Sequence, residues 1–301
     1  MMRIGIVDAD SSHSTEFTKR INHVDIGEEQ WVEGARVVAA FPGYSEAVHD
    51  WRSKNETYTQ ALIDYGVEMV DSPEALLPKI DAALVSSDDG RRHYAAAKML
   101  IEAGVPTFVD KPMTCSLTEA VELAERAEER GVPLYSGSSL RYAPDLIEVA
   151  SGEAIGEIVG ADAISPAKVA VEGVTGLMYY GIHGVETLYT LMGPGCEFVQ
   201  AIESPYGILV AGEWSNGRLG GMRGFVEGSA GFGYRAVGES GTVQQMISAE
   251  FIYRELLKRI IAMFETGEPP LDIRETLEII AFIEAALQSA ESGERVAPAK
   301  V

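Results

Sequence analysis

The sequence has 301 residues, 46% of them hydrophobic and 23% charged, and a formal charge of −22 from 46 acidic against 24 basic side chains. That length exceeds what one core usually organises, and the composition argues against wholesale disorder, so two globular domains are expected. The negative surface repels phosphate backbones and argues against nucleic acid as a general partner; an anionic ligand needs local devices such as helix N-termini or single basic side chains.

The first half alternates strand and helix signals. Residues 3–8 (RIGIVD) form a short apolar run typical of a buried parallel strand, followed by a polar loop and a helix with Phe17, Ile21 and Val24 at helical spacing. Residues 35–41 and 67–70 read as the second and third strands; Ser72–Pro73 supplies an N-cap and a first-turn proline for residues 74–77. Residues 82–86 are a fourth strand, and the helix after it ends at Gly104. Residues 106–110 make a fifth strand, and Ser116 with Glu119 has capping-box spacing for a helix stopped by Gly131. Residues 132–136 make a sixth strand. The alternation predicts an α/β, doubly wound parallel sheet of Rossmann type.

After about residue 140 the rhythm changes. Candidate strands near 155–164, 196–204, 207–214, 219–227 and 232–246 follow one another with glycine and turn pairs such as Asn216–Gly217. They predict an α+β domain with an open, mostly antiparallel sheet, closed by two helices, the last with Asp272 and Glu275 in capping-box spacing. The expected domains are residues 1–137 and 138–301. The two cysteines, Cys115 and Cys196, are read as packing residues. No apolar stretch approaches the ~20 residues of a membrane span and no leader precedes the first strand, so the expected location is cytoplasmic, with no membrane partner.

Residues 93–112 (HYAAAKMLIEAGVPTFVDKP) resemble the signature of the glucose–fructose oxidoreductase / inositol dehydrogenase (Gfo/Idh/MocA) family, in which a strand ends in Glu-Lys-Pro; here the triplet is Asp110-Lys111-Pro112. SSLRYAP (138–144), GEIVGADA (156–163), YGIHGVE (180–186) and the closing helix resemble further family segments in the same order. The resemblance implies a Rossmann domain binding NAD or NADP, a sheet domain holding a sugar or polyol, and a homo-dimer or homo-tetramer through that sheet.

It also implies catalytic roles for Lys111 and His183. A lysine just after a parallel strand lies at the sheet's carboxyl edge, where such folds bind ligands, and its amine can tune the proton of a substrate hydroxyl. Imidazole suits acid–base work near neutral pH, and Glu186 at i+3 is placed to fix its tautomer. The family usually has Asp one turn earlier; this chain has Tyr179, whose phenol donates a hydrogen bond without a carboxylate's charge.

The cofactor loop departs further. In place of GxGxxG the chain reads GIVDADSSHS, so Asp8, Ser11, Ser12 and His13 are the candidate phosphate-loop residues, with an ordinary capped turn as the alternative. Asp8, Asp10 and His13 also suggest a metal site, ranked below phosphate, and no metal is assigned. Phe41-Pro42-Gly43-Tyr44 stands where an acid for the ribose is expected, which leaves NAD and NADP undistinguished. Ser86, Ser87, Asp88, His93 and Asp110 complete the candidate cofactor set; for His93, capping or core packing is the alternative. Arg141, Tyr142, Tyr179 and Tyr180 are candidate substrate contacts, with a structural salt bridge as the alternative for Arg141.

The expected function is NAD(P)-dependent oxidation of a sugar, polyol or related hydroxy compound. Two alternatives stand beside it: a non-catalytic binder of a sugar-like ligand or partner on the same fold, and non-redox use of tightly held NAD.

Overall fold

The computed structural model describes residues 1–301 as two compact units. The first comprises Met1–Gly137, Val171–Gly173 and Tyr253–Ile273; the second comprises Ser138–Ala170, Val174–Ile252 and Arg274–Val301. Residues 253–273 thus join the first unit. The ring of Tyr253 packs edge-on to Phe17 at 5.6 Å, and Arg254 Nη1 donates to Glu29 O at 2.7 Å.

In the first unit, β1 (Met2–Val7), α1 (Ser12–Asn22), β2 (Ala35–Phe41), α2 (Trp51–Asp64), β3 (Glu68–Met69), β4 (Ala82–Val85), α3 (His93–Glu102), β5 (Thr107–Val109), α4 (Leu117–Arg130) and β6 (Leu134–Ser136) succeed one another. The six strands form one sheet in the order β3-β2-β1-β4-β5-β6, every pair parallel. This is the doubly wound arrangement that the alternation predicts. Its apolar strands Ile4–Val7 and Ala82–Val85 are buried, as a sheet covered on both faces requires. The strand order reverses between β1 and β4, so loops from both sides open a crevice at their carboxyl ends.

Local sequence sets the helix boundaries. Helix α1 starts at Ser11, whose Oγ accepts the His13 N–H at 3.3 Å, and stops at His23 in the left-handed conformation, one residue before Val24. Helix α4 ends at Gly131 with φ 61°. Its expected capping box does not form: the Ser116 side chain makes no cap bond, and Thr114 Oγ1 takes the Ser116 N–H at 3.2 Å.

The second unit contains α5 (Pro144–Ala150), β7 (Ile158–Pro166), α6 (Ile182–Met192), β8 (Cys196–Ser204), β9 (Gly207–Trp214), β10 (Leu219–Phe225), β11 (Gly233–Gly238) and β12 (Thr242–Met246). Helix α7 (Ile252–Thr266) follows, and α8 (Ile273–Ser292) closes the chain. The expected strand at 232–246 is a hairpin of two, turned at Glu239-Ser240-Gly241. The sheet order is β12-β11-β7-β10-β9-β8, antiparallel except where β7 meets β10.

One face of this sheet is covered by α6 and α8. Trp214 from β9 packs with Tyr189 of α6 and Phe282 of α8, and all three are buried. Close approach of α6 depends on Gly184, where an added Cβ would meet Met222 Cε at 2.8 Å and Ser165 Cβ at 2.9 Å. The other face carries Ile202, Leu209 and Leu219 at 70%, 49% and 67% exposure, an apolar surface within its own unit. No helix is long and apolar enough to cross a membrane.

Candidate active site

The carboxyl edge of the parallel sheet is organised by buried carboxylates. Asp10, fully buried after β1, accepts the Ser45 N–H at 2.8 Å, the Ser87 hydroxyl at 3.3 Å and the Asp88 N–H at 3.1 Å. It therefore ties together the loops after β1, β2 and β4. Burial pushes its carboxyl up to about 6, against the Ser45 backbone bond and with the help of the Asp8 charge. The sequence offers this aspartate only as a lower-ranked metal ligand beside Asp8 and His13, not as a tie between loops.

Asp8 adopts the left-handed conformation, φ 70°, and its side chain is 2% exposed. It pairs in bidentate fashion with Arg92, Nε to Oδ2 at 2.8 Å and Nη2 to Oδ1 at 3.0 Å. Arg92 escaped the sequence reading, although a buried acid in this loop calls for a cation and RRH follows the β4 turn. Asp8 and Arg92 border a cavity of about 330 Å³ together with Val7, Phe41, Glu74 and Met99.

At the end of β5, Asp110 is buried, its Oδ1 accepts the Lys111 N–H at 2.8 Å, and Oδ2 meets His13 Nδ1. Burial works against the charge, but the His13 charge and hydrogen bond, with Lys111 and His93, hold this carboxyl well below the usual range. His13 Nε2 lies 3.1 Å from the Tyr253 hydroxyl, completing a carboxylate–imidazole–phenol row. Tyr253 comes from a helix remote in sequence, and no motif marked it. Lys111 follows directly at the strand end, and the Lys111–Pro112 peptide is cis.

The remaining cofactor candidates brace the loops. Ser86 Oγ donates to Asp8 O at 3.0 Å, Ser87 Oγ to Asp10, and Asp88 pairs with Lys54 at 3.0 Å. His93 is fully buried, with Nδ1 2.7 Å from Pro112 O and Nε2 2.9 Å from Ser87 O, so the core-packing alternative describes its position. Both thiols are pushed up to about 12 by burial, which leaves neither cysteine suited to nucleophilic work.

In the second unit, His183 is 8% exposed on α6, and its Nδ1 lies 2.7 Å from Ser138 Oγ. The expectation that Glu186 orients this ring is corrected: Ser138 does so, and Glu186 instead accepts the Ser138 N–H at 3.1 Å and pairs with Arg141 at 2.8 Å. Burial pushes the Glu186 carboxyl up, and the Arg141 charge opposes it. Arg141 is itself buried and also pairs with Glu275, which comes from the expected capping box of α8. The salt-bridge alternative therefore describes the Arg141 guanidinium. Tyr179 is buried and Tyr180 exposed on a π-helical turn at Leu177–Gly181; Tyr180 and Phe232 flank His183 at 5.8 and 5.2 Å between ring centroids. Tyr142 is half-buried at the end of a 3₁₀ turn, Ser139–Tyr142.

The first unit fits a dinucleotide. Its cavity at the ends of β1 and β2 is large enough for an adenosine moiety, and the N–H groups of Ser11 and Ser12 are not used by the turn's own hydrogen bonds at the start of α1. Asp8 and Asp10 raise the electrostatic cost of an anion there relative to a glycine turn.

Sheet order, strand-end lysine and helix-start turn together define a nucleotide-binding Rossmann protein carrying a second, mixed-sheet unit. Residues 26–138 match the family model GFO_IDH_MocA, described as an oxidoreductase family with an NAD-binding Rossmann fold. The match begins after the glycine-free loop. The chain is 33% identical over 78 residues to the myo-inositol dehydrogenase Hyg17 of Streptomyces leeuwenhoekii, covering 26% of this chain and 24% of that protein. Matches to curated relatives span 24–38% of those proteins' lengths. By fold, it is similar to a myo-inositol dehydrogenase from Corynebacterium glutamicum, with TM-score 0.80, 16% identity and 100% coverage of both chains. It is also similar to the Lactobacillus casei myo-inositol dehydrogenase solved with NAD(H) and myo-inositol, with TM-score 0.78, 16% identity, and coverage of 100% and 98%. Residues 26–138 are thus similar to the NAD-binding Rossmann part of the Gfo/Idh/MocA family, and the whole chain shares the fold of the solved dehydrogenases.

Proposed function

We propose that this protein is an NAD(P)-dependent oxidoreductase that oxidises a secondary alcohol of a sugar, polyol or related hydroxy compound, with Lys111 and His183 as its acid–base groups. The observation that carries the reading is Lys111 at the carboxyl end of β5, anchored through its N–H to the buried Asp110, beside the point where the strand order reverses. A nicotinamide, when bound, supplies the hydride acceptor. The Ser11 and Ser12 N–H groups hold the pyrophosphate, and the cavity beside Asp8 holds the adenosine. Lys111 hydrogen-bonds the substrate hydroxyl and lowers the cost of removing its proton; His183, its ring oriented by Ser138, takes that proton. Tyr180 and Phe232 offer aromatic faces to a sugar ring.

The myo-inositol dehydrogenases among the similar proteins make cyclic polyols the first substrates to try. Incubation with NAD⁺ or NADP⁺ and a polyol panel is expected to yield NAD(P)H at 340 nm. Lys111→Ala and His183→Ala should each lower kcat about 10²-fold or more, and the double variant no more than the worse single one. A second reading, a ligand binder without redox turnover, is favoured by the Asp8 and Asp10 carboxylates in the phosphate turn; thermal stabilisation by polyols but by neither dinucleotide would select it.

We further infer a cytoplasmic homo-oligomer associating through the sheet face that bears Ile202, Leu209 and Leu219. Light scattering is expected to give a dimer or tetramer mass, and Leu209→Glu a smaller one; a monomeric wild type contradicts the inference.

A further inference from the structure

We propose, resting on the cofactor reading above, that the Asp8–Arg92 pair makes this protein select the dinucleotide lacking a 2′-phosphate, NAD over NADP. Rossmann proteins read the adenosine ribose with an acid at the end of the second strand, or a 2′-phosphate with a nearby arginine. Here β2 ends in Phe41 and runs into Pro42-Gly43, with no acid. The carboxylate arrives from β1 instead. The Asp8 N–H donates to Phe41 O at 3.0 Å, and a Cβ added at Gly43 would fall 2.0 Å from Asp8 Oδ1. The left-handed backbone of Asp8 thus lays its carboxylate against the turn that leaves β2, on the wall of the cavity shared with Phe41 and Arg92.

Arg92 does not make that cavity anion-selective. Its Nε and Nη2 are spent on Asp8, whose carboxylate is almost fully buried, and Glu74 stands on the same lining. The two carboxylates and one guanidinium leave one net negative charge. A 2′-phosphate brings about −1.5 to −2 more and meets like charge. A ribose diol brings none, and its hydroxyls can accept from the three N–H groups that Asp8 leaves over on the partly exposed guanidinium.

Calorimetric titration of the full chain with 5′-AMP, 2′,5′-ADP, NADH and NADPH tests this. Wild type is expected to bind AMP and NADH about tenfold or more tightly than their 2′-phosphorylated counterparts. Asp8→Asn retains a residue that tolerates the left-handed backbone and releases the guanidinium, so relative affinity for 2′,5′-ADP and NADPH should rise at least about tenfold. That gain should vanish when Arg92→Gln is added. If circular dichroism shows D8N unfolded, E74Q carries the test, with an expected gain of about threefold for 2′,5′-ADP. A wild type preferring the 2′-phosphate, or a D8N protein of unchanged preference, overturns the proposal while leaving the cofactor reading intact. No binding of any of the four ligands overturns both.

Discussion

Two aspartates on one sheet edge meet opposite fates. Asp10 at the end of β1 and Asp110 at the end of β5 are both buried, yet the first carboxyl is pushed up to about 6 and the second is held well below the usual range. Burial raises both; the partners decide. Asp10 is met by two backbone N–H groups and a serine hydroxyl, with Asp8 and Asp88 adding negative charge nearby. Asp110 is met by His13 and Lys111. Neutral donors satisfy a carboxylate's lone pairs but do not offset its lost hydration, whereas a cation does. The glycine-free loop is thus a structural tie, and the strand-end triplet is a charged site.

Removing the imidazole should cost most. His13→Leu takes away the side chain that meets buried Asp110 Oδ2, and urea unfolding at pH 7 should show a loss of about 3–5 kcal/mol. A loss below about 1 kcal/mol would erase the distinction between the two sites.

The pH dependence should separate them next. The Asp10 carboxyl binds its proton more tightly folded than unfolded, so its contribution is present at low pH and is lost as the pH rises from about 4 through about 6, on the order of 2–3 kcal/mol. Asp110 runs the other way: its stabilisation is present above the unfolded carboxylate value and is lost as the pH falls. Asp10→Asn should abolish the decline between pH 4 and 6 and leave the acid limb in place. An unchanged decline would assign that slope to other groups.

Much of this edge was legible in the sequence. The apolar runs and turn residues marked six parallel strands, and Asp110-Lys111-Pro112 lay on a strand end because short buried strands leave little freedom of register. What could not be read were partners remote in sequence: Arg92 for Asp8, Tyr253 for His13, and Ser138 rather than Glu186 for His183. Helical spacing put Glu186 beneath His183, but the buried Arg141 guanidinium takes that carboxylate in a charge-assisted pair.

Smaller effects extend the contrast to neutral hydroxyls. Ser138→Ala removes the His183 Nδ1 contact and should cost about 1 kcal/mol of stability, with the imidazole's NMR titration changing in the same variant. Ser11→Ala removes the α1 cap and should cost about 0.5–1 kcal/mol.

The most direct measurement is fluorescence titration of the purified chain with NADH. Saturable, micromolar binding with the emission change of an enclosed nicotinamide, weakened by Lys111→Ala, is the predicted result. A wild type that leaves the emission of both NADH and NADPH unaltered up to millimolar concentration would contradict the account.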